Sequence, residues 1–82
     1  MFSEKLLIYS FYRFIQIRDK NKFKVGVEQL LAKKTLRGTI LIANEGINAS
    51  ISGKEKDLRE IVSLIKKKLR IRKLDIKEQT ID

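Results

Sequence analysis

The stretch GTILIANEGINASISG, residues 38–53, constrains the fold more than any other part of the chain. Ile40, Leu41, Ile42 and Ala43 lead into Asn44-Glu45-Gly46, after which the pattern alternates. Ile47, Ala49 and Ile51 fall on one side, and Asn48, Ser50 and Ser52 on the other. Alternation of this kind is the period of a strand with one buried face. Two strands, residues 39–43 and 47–52, joined by a glycine-containing turn make a hairpin. The spacing predicts a three-residue loop, with a type I turn followed by Gly46 at positive φ. The Asn44 side chain is suited to bond its own loop backbone. Turn chemistry leaves Glu45 at the tip and Asn48 on the polar side unexplained.

The flanking segments fit around that hairpin. Leu6–Phe14 is rich in aromatic and apolar residues and reads as a first strand. The polar RDKNK follows, where Asp19 or Asn21 can cap a helix. Phe23, Val27, Leu30 and Leu31 then form an apolar stripe at helical period. Gly26 inside that helix costs up to ~1 kcal/mol relative to Ala, and close approach of the helix to the sheet is the expected compensation. A second helix is expected over residues 53–69, burying Leu58, Ile61, Val62, Ile65 and Leu69, with Ser52 and Glu55 spaced as a capping box. A last strand over residues 72–77 points Leu74 and Ile76 inward and Lys73, Asp75 and Lys77 outward. Strand, helix, strand, strand, helix, strand is the order of two split βαβ halves. Right-handed crossovers place both helices on one face of a four-stranded antiparallel sheet. The expected fold is therefore an α+β, ferredoxin-like βαββαβ sandwich. Its expected core is Leu7, Phe11, Phe23, Val27, Leu30, Ile40, Ile42, Ile61, Ile65 and Leu74.

Residues 1–82 allow one domain, which buries roughly 60% of its unfolded surface and has no room for a deep catalytic cavity. The chain has no Cys and no His, which excludes thiolate nucleophiles, disulfides, the usual zinc ligand sets and a histidine general base. The carboxylates are scattered with no convergent pair, and Glu55 has an ordinary helix-surface partner in Arg59 at i+4. No catalytic residue, metal site or cofactor is expected in this chain. The apolar run at residues 6–12 is far shorter than the ~18 residues of a membrane span. No small-residue cleavage site follows it, so the expected location is the cytoplasm.

The formal charge of +9 favours anionic partners, nucleic acid first. The densest feature is KKKLRIRK, where Lys66, Lys67, Lys68, Arg70, Arg72 and Lys73 gather at the end of the second helix. Phosphate contact needs such residues without exact geometry, yet cations also suit a helix C-terminus for purely electrostatic reasons. Two nucleotide- or phosphate-handling chemistries occur on this architecture, and both lack a part here. An acylphosphatase needs backbone amides and an Arg converging on the anion after strand one. The connection FIQIRDKNK offers Arg13 and Arg18 but no glycine cradle. An RNA-recognition motif stacks bases on aromatics of strands one and three. Strand one carries Tyr9, Phe11, Tyr12 and Phe14, but INASIS in strand three has no aromatic. The strand-one aromatics are expected to divide between the core and a covered patch.

Three segments carry a family resemblance: SFYRF, RGTILIANEGINASISG and LDIKEQ. Together they resemble the N-terminal domain of the rhodanese-domain tRNA uridine hydroxylase family. That family opens with a strand of the type SFYKF and shows a hairpin of the type GTILLAEEGINGTISG. The chain departs at Asn44, where Glu is common, and at Ala49, where Gly is common. The resemblance implies an oxygen-dependent 5-hydroxylation of the wobble uridine, carried out by a catalytic cysteine in a rhodanese-type domain. No cysteine exists here, so no catalytic position carries over, and the chain is expected to be an inactive fragment of a longer enzyme. Its implied partners are tRNA, through the full-length protein, and the rhodanese-type domain of the same polypeptide. The six basic residues of the cluster, with Arg13 and Arg37, are the candidate tRNA contacts. Asn44, Glu45, Gly46 and Asn48 form the hairpin motif, with Glu45 and Asn48 expected to face the catalytic domain or its RNA. The alternative is a structural or dimerisation module whose charge is incidental.

Overall fold

The computed structural model describes residues 5–81. Its elements are β1 (Leu6–Phe14), α1 (Lys20–Lys33), β2 (Arg37–Ala43), β3 (Gly46–Lys54), α2 (Glu55–Leu69) and β4 (Ile76–Thr80). The strands form one antiparallel sheet in the order β2-β3-β1-β4. This is the expected βαββαβ ferredoxin-like architecture, with both helices on one face.

Strand alternation decides which face the helices cover. Tyr9 lies opposite Ile51 and Phe11 opposite Ala49, and directly opposed residues share a face. Leu7, Tyr9 and Phe11 are buried with Ile47, Ala49 and Ile51 against Phe23 and Val27 of α1 and Leu58, Ile61, Val62 and Ile65 of α2. Seven of the ten expected core residues are buried; Leu30, Ile40 and Ile42 are partly buried against the same cluster. Ile17, in the β1–α1 connection, is buried too, a position that no strand or helix period marks. Burial raises the Tyr9 phenol pKa, opposed by an Arg59 hydrogen bond and reinforced by Glu78.

Several local expectations need correction. The hairpin loop has two residues, Asn44 and Glu45, because Gly46 is already in the ladder opposite both Ala43 and Phe14. Gly46 has φ +159°, positive but nearly extended, and an added Cβ would collide with the carbonyl oxygen of Arg13. Close approach of the β1 backbone, more than turn conformation, requires glycine there. The loop's hydrogen bonds come from its carbonyls: Asn44 O accepts from Ile17 N at 2.9 Å, and Glu45 O from Ile15 N at 3.0 Å.

The expected capping box does not form. Gly53 and Lys54 extend β3 by pairing with Leu7 and Leu6, so α2 begins at Glu55, with Lys54 at the cap position and no side-chain capping bond to the helix amides. The Ser52 hydroxyl instead lies 3.5 Å from the Arg37 carbonyl, at the limit of a hydrogen bond. Glu55 and Asp57 in the first turn still complement the helix dipole, and Arg59 pairs with Glu55 at 2.7 Å. The last strand is Ile76–Thr80, later than the expected residues 72–77. The chain must cross from the helix layer to the free edge of β1, and residues 71–75 span that distance, with Leu74 buried on the way. At Gly26 the close neighbour is not the sheet. The Lys68 side chain of α2 lies over it, with Cε 2.7 Å from where a Cβ would stand.

Candidate nucleic-acid interface

Chain direction determines which charges meet. β1 ends at Phe14 beside the β2–β3 turn, and α1 starts from that end. α2 starts at the other end of the sheet and runs back, so its C-terminal turn meets the start of α1. Two contacts fix this antiparallel arrangement. Lys68 lies across Gly26 at one end, and Lys34 pairs with Glu60 at 2.7 Å and Asp57 at 3.9 Å at the other.

The consequence is a polarised domain. One end gathers Lys66, Lys67, Lys68, Arg70, Arg72 and Lys73 from α2 and the loop beyond it, together with Arg18, Lys20 and Lys22 from the start of α1. All are exposed except Lys66, which is half-buried. Arg13, exposed near the end of β1, lies at the same end. Arg37 does not belong to this group. It opens β2 opposite Ser52, at the far end of the sheet. The acids of α2 sit at that far end, where the Lys34 hydrogen bond and charge hold the Glu60 carboxyl below its ordinary pKa, while Glu60 raises that of Lys34.

Two local features at the basic end run against backbone preference. Arg70 occupies the left-handed region, φ 56° and ψ 43°, where a helix C-terminus usually places glycine. Around it Ile71 N donates to Lys66 O at 3.0 Å and Arg70 N to Lys67 O at 3.3 Å, the two bonds of a Schellman motif. The first turn of α1 contains no acid. Lys20 and Lys22 stand there instead, at the positive end of the helix dipole, where each cation is unfavourable by about 0.3–1 kcal/mol. Asp19 caps the helix, its carboxylate accepting from Lys22 N at 3.0 Å. Arg18, Lys22, Lys68 and Arg70 line a cleft of about 560 Å³ between the β1–α1 connection and the end of α2. Natural sequences depart from local preference most often where a site demands it.

Sequence reasoning reads RDKNK as a turn and helix cap, weighs Arg18 only for an acylphosphatase cradle, and misses Arg18, Lys20 and Lys22 as members of this end. Their charge is visible in the sequence, but their position opposite the end of α2 exists only in the packed structure. Asn44 and Glu45 are exposed in the turn, and Asn48 is exposed on the sheet face away from the helices, opposite Tyr12 on one side and Leu41 on the other. Among the described residues no group of His, Cys, Asp or Glu converges as a metal site, and no helix is long and apolar enough to cross a membrane.

Residues 6–82 match the family described as the UPF0176 acylphosphatase like domain. The chain belongs to this family. The UPF0176 domain is 46% identical over 68 residues to the tRNA uridine(34) hydroxylase of Pelagibacter ubique, covering 83% of this chain and 23% of the relative. It is 32% identical over 75 residues to the hydroxylase of the same name from Neorickettsia sennetsu, covering 92% of this chain and 27% of the relative. The chain thus spans about a quarter of the length of the curated relatives it matches. Two solved structures share the fold. The de novo designed protein Ferredog-Diesel superposes with a TM-score of 0.53 at 17% identity, over 96% of this chain and 88% of that one. The full-length HypF crystal structure gives 0.56 at 18% identity, over 98% of this chain and 10% of that one. In this UPF0176 domain the amides of Ile15 and Ile17 are taken by the hairpin carbonyls, so the β1–α1 connection does not present them to an anion.

Proposed function

We propose that this domain is the accessory N-terminal module of an enzyme that hydroxylates uridine 34 of tRNA, and that its basic end contacts the tRNA backbone. The observation that carries this reading is the convergence of Arg18, Lys20 and Lys22 with the α2 terminus on one end, while the acids of α2 lie at the other. Polarised charge of this kind concentrates a polyanion and orients it. The relatives' name supplies the nature of the polyanion. The chain has no Cys and no His, which supports a reading in which the chemistry belongs to another part of the polypeptide, a rhodanese-type domain by resemblance. Glu45 and Asn48 at or near the basic end face that domain or the RNA.

Phosphate contacts position RNA without reading its sequence. Replacing Lys67, Lys68 and Arg70 together by Gln is therefore expected to weaken tRNA binding by the intact protein whatever the tRNA. It also flattens the log–log salt dependence by about 0.7–0.9 for each phosphate that the protein no longer neutralises. Salt slopes identical to the unmodified protein would assign the cluster to solvation and the domain to a structural or dimerising role.

A further inference from the structure

The uncovered face of the sheet has its own order. Antiparallel pairing sets Leu41, Asn48 and Tyr12 in one row across β2, β3 and β1. The next row is Thr39, Ser50, Ser10 and Lys77 across all four strands. Phe14 stands above Tyr12 on β1, at the end that carries the basic residues. Phe14 is 71% exposed, Leu41 61% and Tyr12 54%. The Tyr12 and Phe14 rings meet edge to face, with centroids 4.7 Å apart. The expectation of a covered aromatic patch is thus corrected: within the described domain both rings are open.

We infer that Tyr12 and Phe14 form a stacking site for an unpaired base of single-stranded RNA, whose phosphates run onto the adjoining basic end. The inference rests on the tRNA reading above and adds the kind of RNA segment that is bound. Three observations favour a nucleotide over a protein partner. The aromatic pair lies at the end of the sheet that carries the basic residues, with Arg13 between the two rings in sequence but on the opposite face of β1, and single-stranded RNA is the partner that offers phosphates and open ring faces together. The apolar side chains surround Asn48, whose amide carries both donor and acceptor for a base edge. The adjacent row is hydroxyls and a lysine, whereas the centre of a protein interface is depleted in Lys and Ser. Asp75 flanks the site beside Tyr12 and Glu45 beside Phe14, so the phosphates reach Arg13 and the cations of α2 by passing round the end of the sheet. Strand three lacks the aromatic of an RNA-recognition motif, and two rings on β1 take its place.

The test compares oligouridine with a blunt RNA duplex of equal phosphate number, binding to the intact protein. Stacking is worth about 1–3 kcal/mol per base on alanine substitution, so Tyr12→Ala and Phe14→Ala should each weaken oligouridine binding by roughly 5- to 150-fold. Duplex binding and the salt slope should stay unchanged, because paired bases hide their faces and every phosphate-binding cation is retained. Tyr12→Phe and Phe14→Trp should restore the affinity. Equal losses on both RNAs, or no loss on either, overturn the stacking site. If the alanine variants leave both affinities intact but lower the thermal stability of the intact protein, the face packs against another part of the polypeptide. An unmodified protein that binds neither RNA would refute the tRNA reading itself, a result distinct from the failure of the stacking site.

Discussion

Arg70→Gly is expected to stabilise the domain and weaken its RNA binding at once. Arg70 holds φ 56° and ψ 43° at the end of α2. A non-glycine residue in that region is disfavoured by roughly 1–2 kcal/mol, because Cβ crowds the carbonyl oxygen. Glycine removes that cost but adds freedom to the unfolded chain, worth about 0.4–1 kcal/mol against folding. The midpoints of the two ranges leave a net gain of about 0.8 kcal/mol. For a domain of this size that raises Tm by roughly 2–8 °C. The two Schellman bonds, to Lys66 O and Lys67 O, are main-chain bonds and survive the substitution. Arg70→Ala is the control: it removes the same guanidinium but keeps the Cβ, so its stability should equal or fall below that of the unmodified domain. Circular dichroism during thermal and urea unfolding measures all three proteins. Both variants should lose the same share of RNA affinity and of salt slope, about 0.7–0.9 for one phosphate. Arg70→Gly no more stable than Arg70→Ala would refute the claim that backbone strain is held at this position.

Two further predictions concern the fold. Gly46→Ala should destabilise the domain by more than about 1 kcal/mol, since the new Cβ meets the Arg13 backbone; Gly26→Ala should be neutral or stabilising by up to ~1 kcal/mol, because only the flexible end of Lys68 must move. Urea unfolding of both variants checks the contrast, and a harmless Gly46→Ala would contradict the close strand approach. The pair Lys34–Glu60 links the end of α1 to α2, and Glu60's depressed pKa means that its contribution is present above the ordinary carboxylate pKa. It is lost as pH falls through the depressed folded value. Lys34's pKa is raised, so its contribution is full below the ordinary lysine value and lost as pH rises through the raised one. Glu60→Gln should therefore remove part of the acid-side slope of stability against pH, and an unchanged pH profile would show that the pair does not couple to folding.

Periodicity alone determined the element order and most of the core, because strand alternation and helical stripes depend only on near neighbours. The alternation of Ile47, Ala49 and Ile51 and the α2 stripe needed no tertiary information. Asp19 as a cap and Glu55 with Arg59 as a pair were legible for the same reason. Element ends were not. Ser52-x-x-Glu55 has the spacing of a capping box, but pairing with β1 drew Gly53 and Lys54 into the sheet and left Ser52 inside a strand. Backbone ladder bonds made at a distance won over a local side-chain cap. β4 began late because the path from α2 to the sheet edge has a length that no local pattern encodes.

The candidate site divides along the same line. KKKLRIRK stands out in the sequence because its charges are contiguous. Arg18, Lys20 and Lys22 lie more than forty residues earlier, and only the antiparallel packing of α1 on α2 brings them to the same end. Arg37 shows the converse, a cation near the hairpin in sequence but at the opposite end of the sheet in space. Tyr12 and Phe14 could be assigned to the outer face by counting from Leu7. That this face stays open, beside the positive end of the domain, was decided by both crossovers placing their helices on the other side.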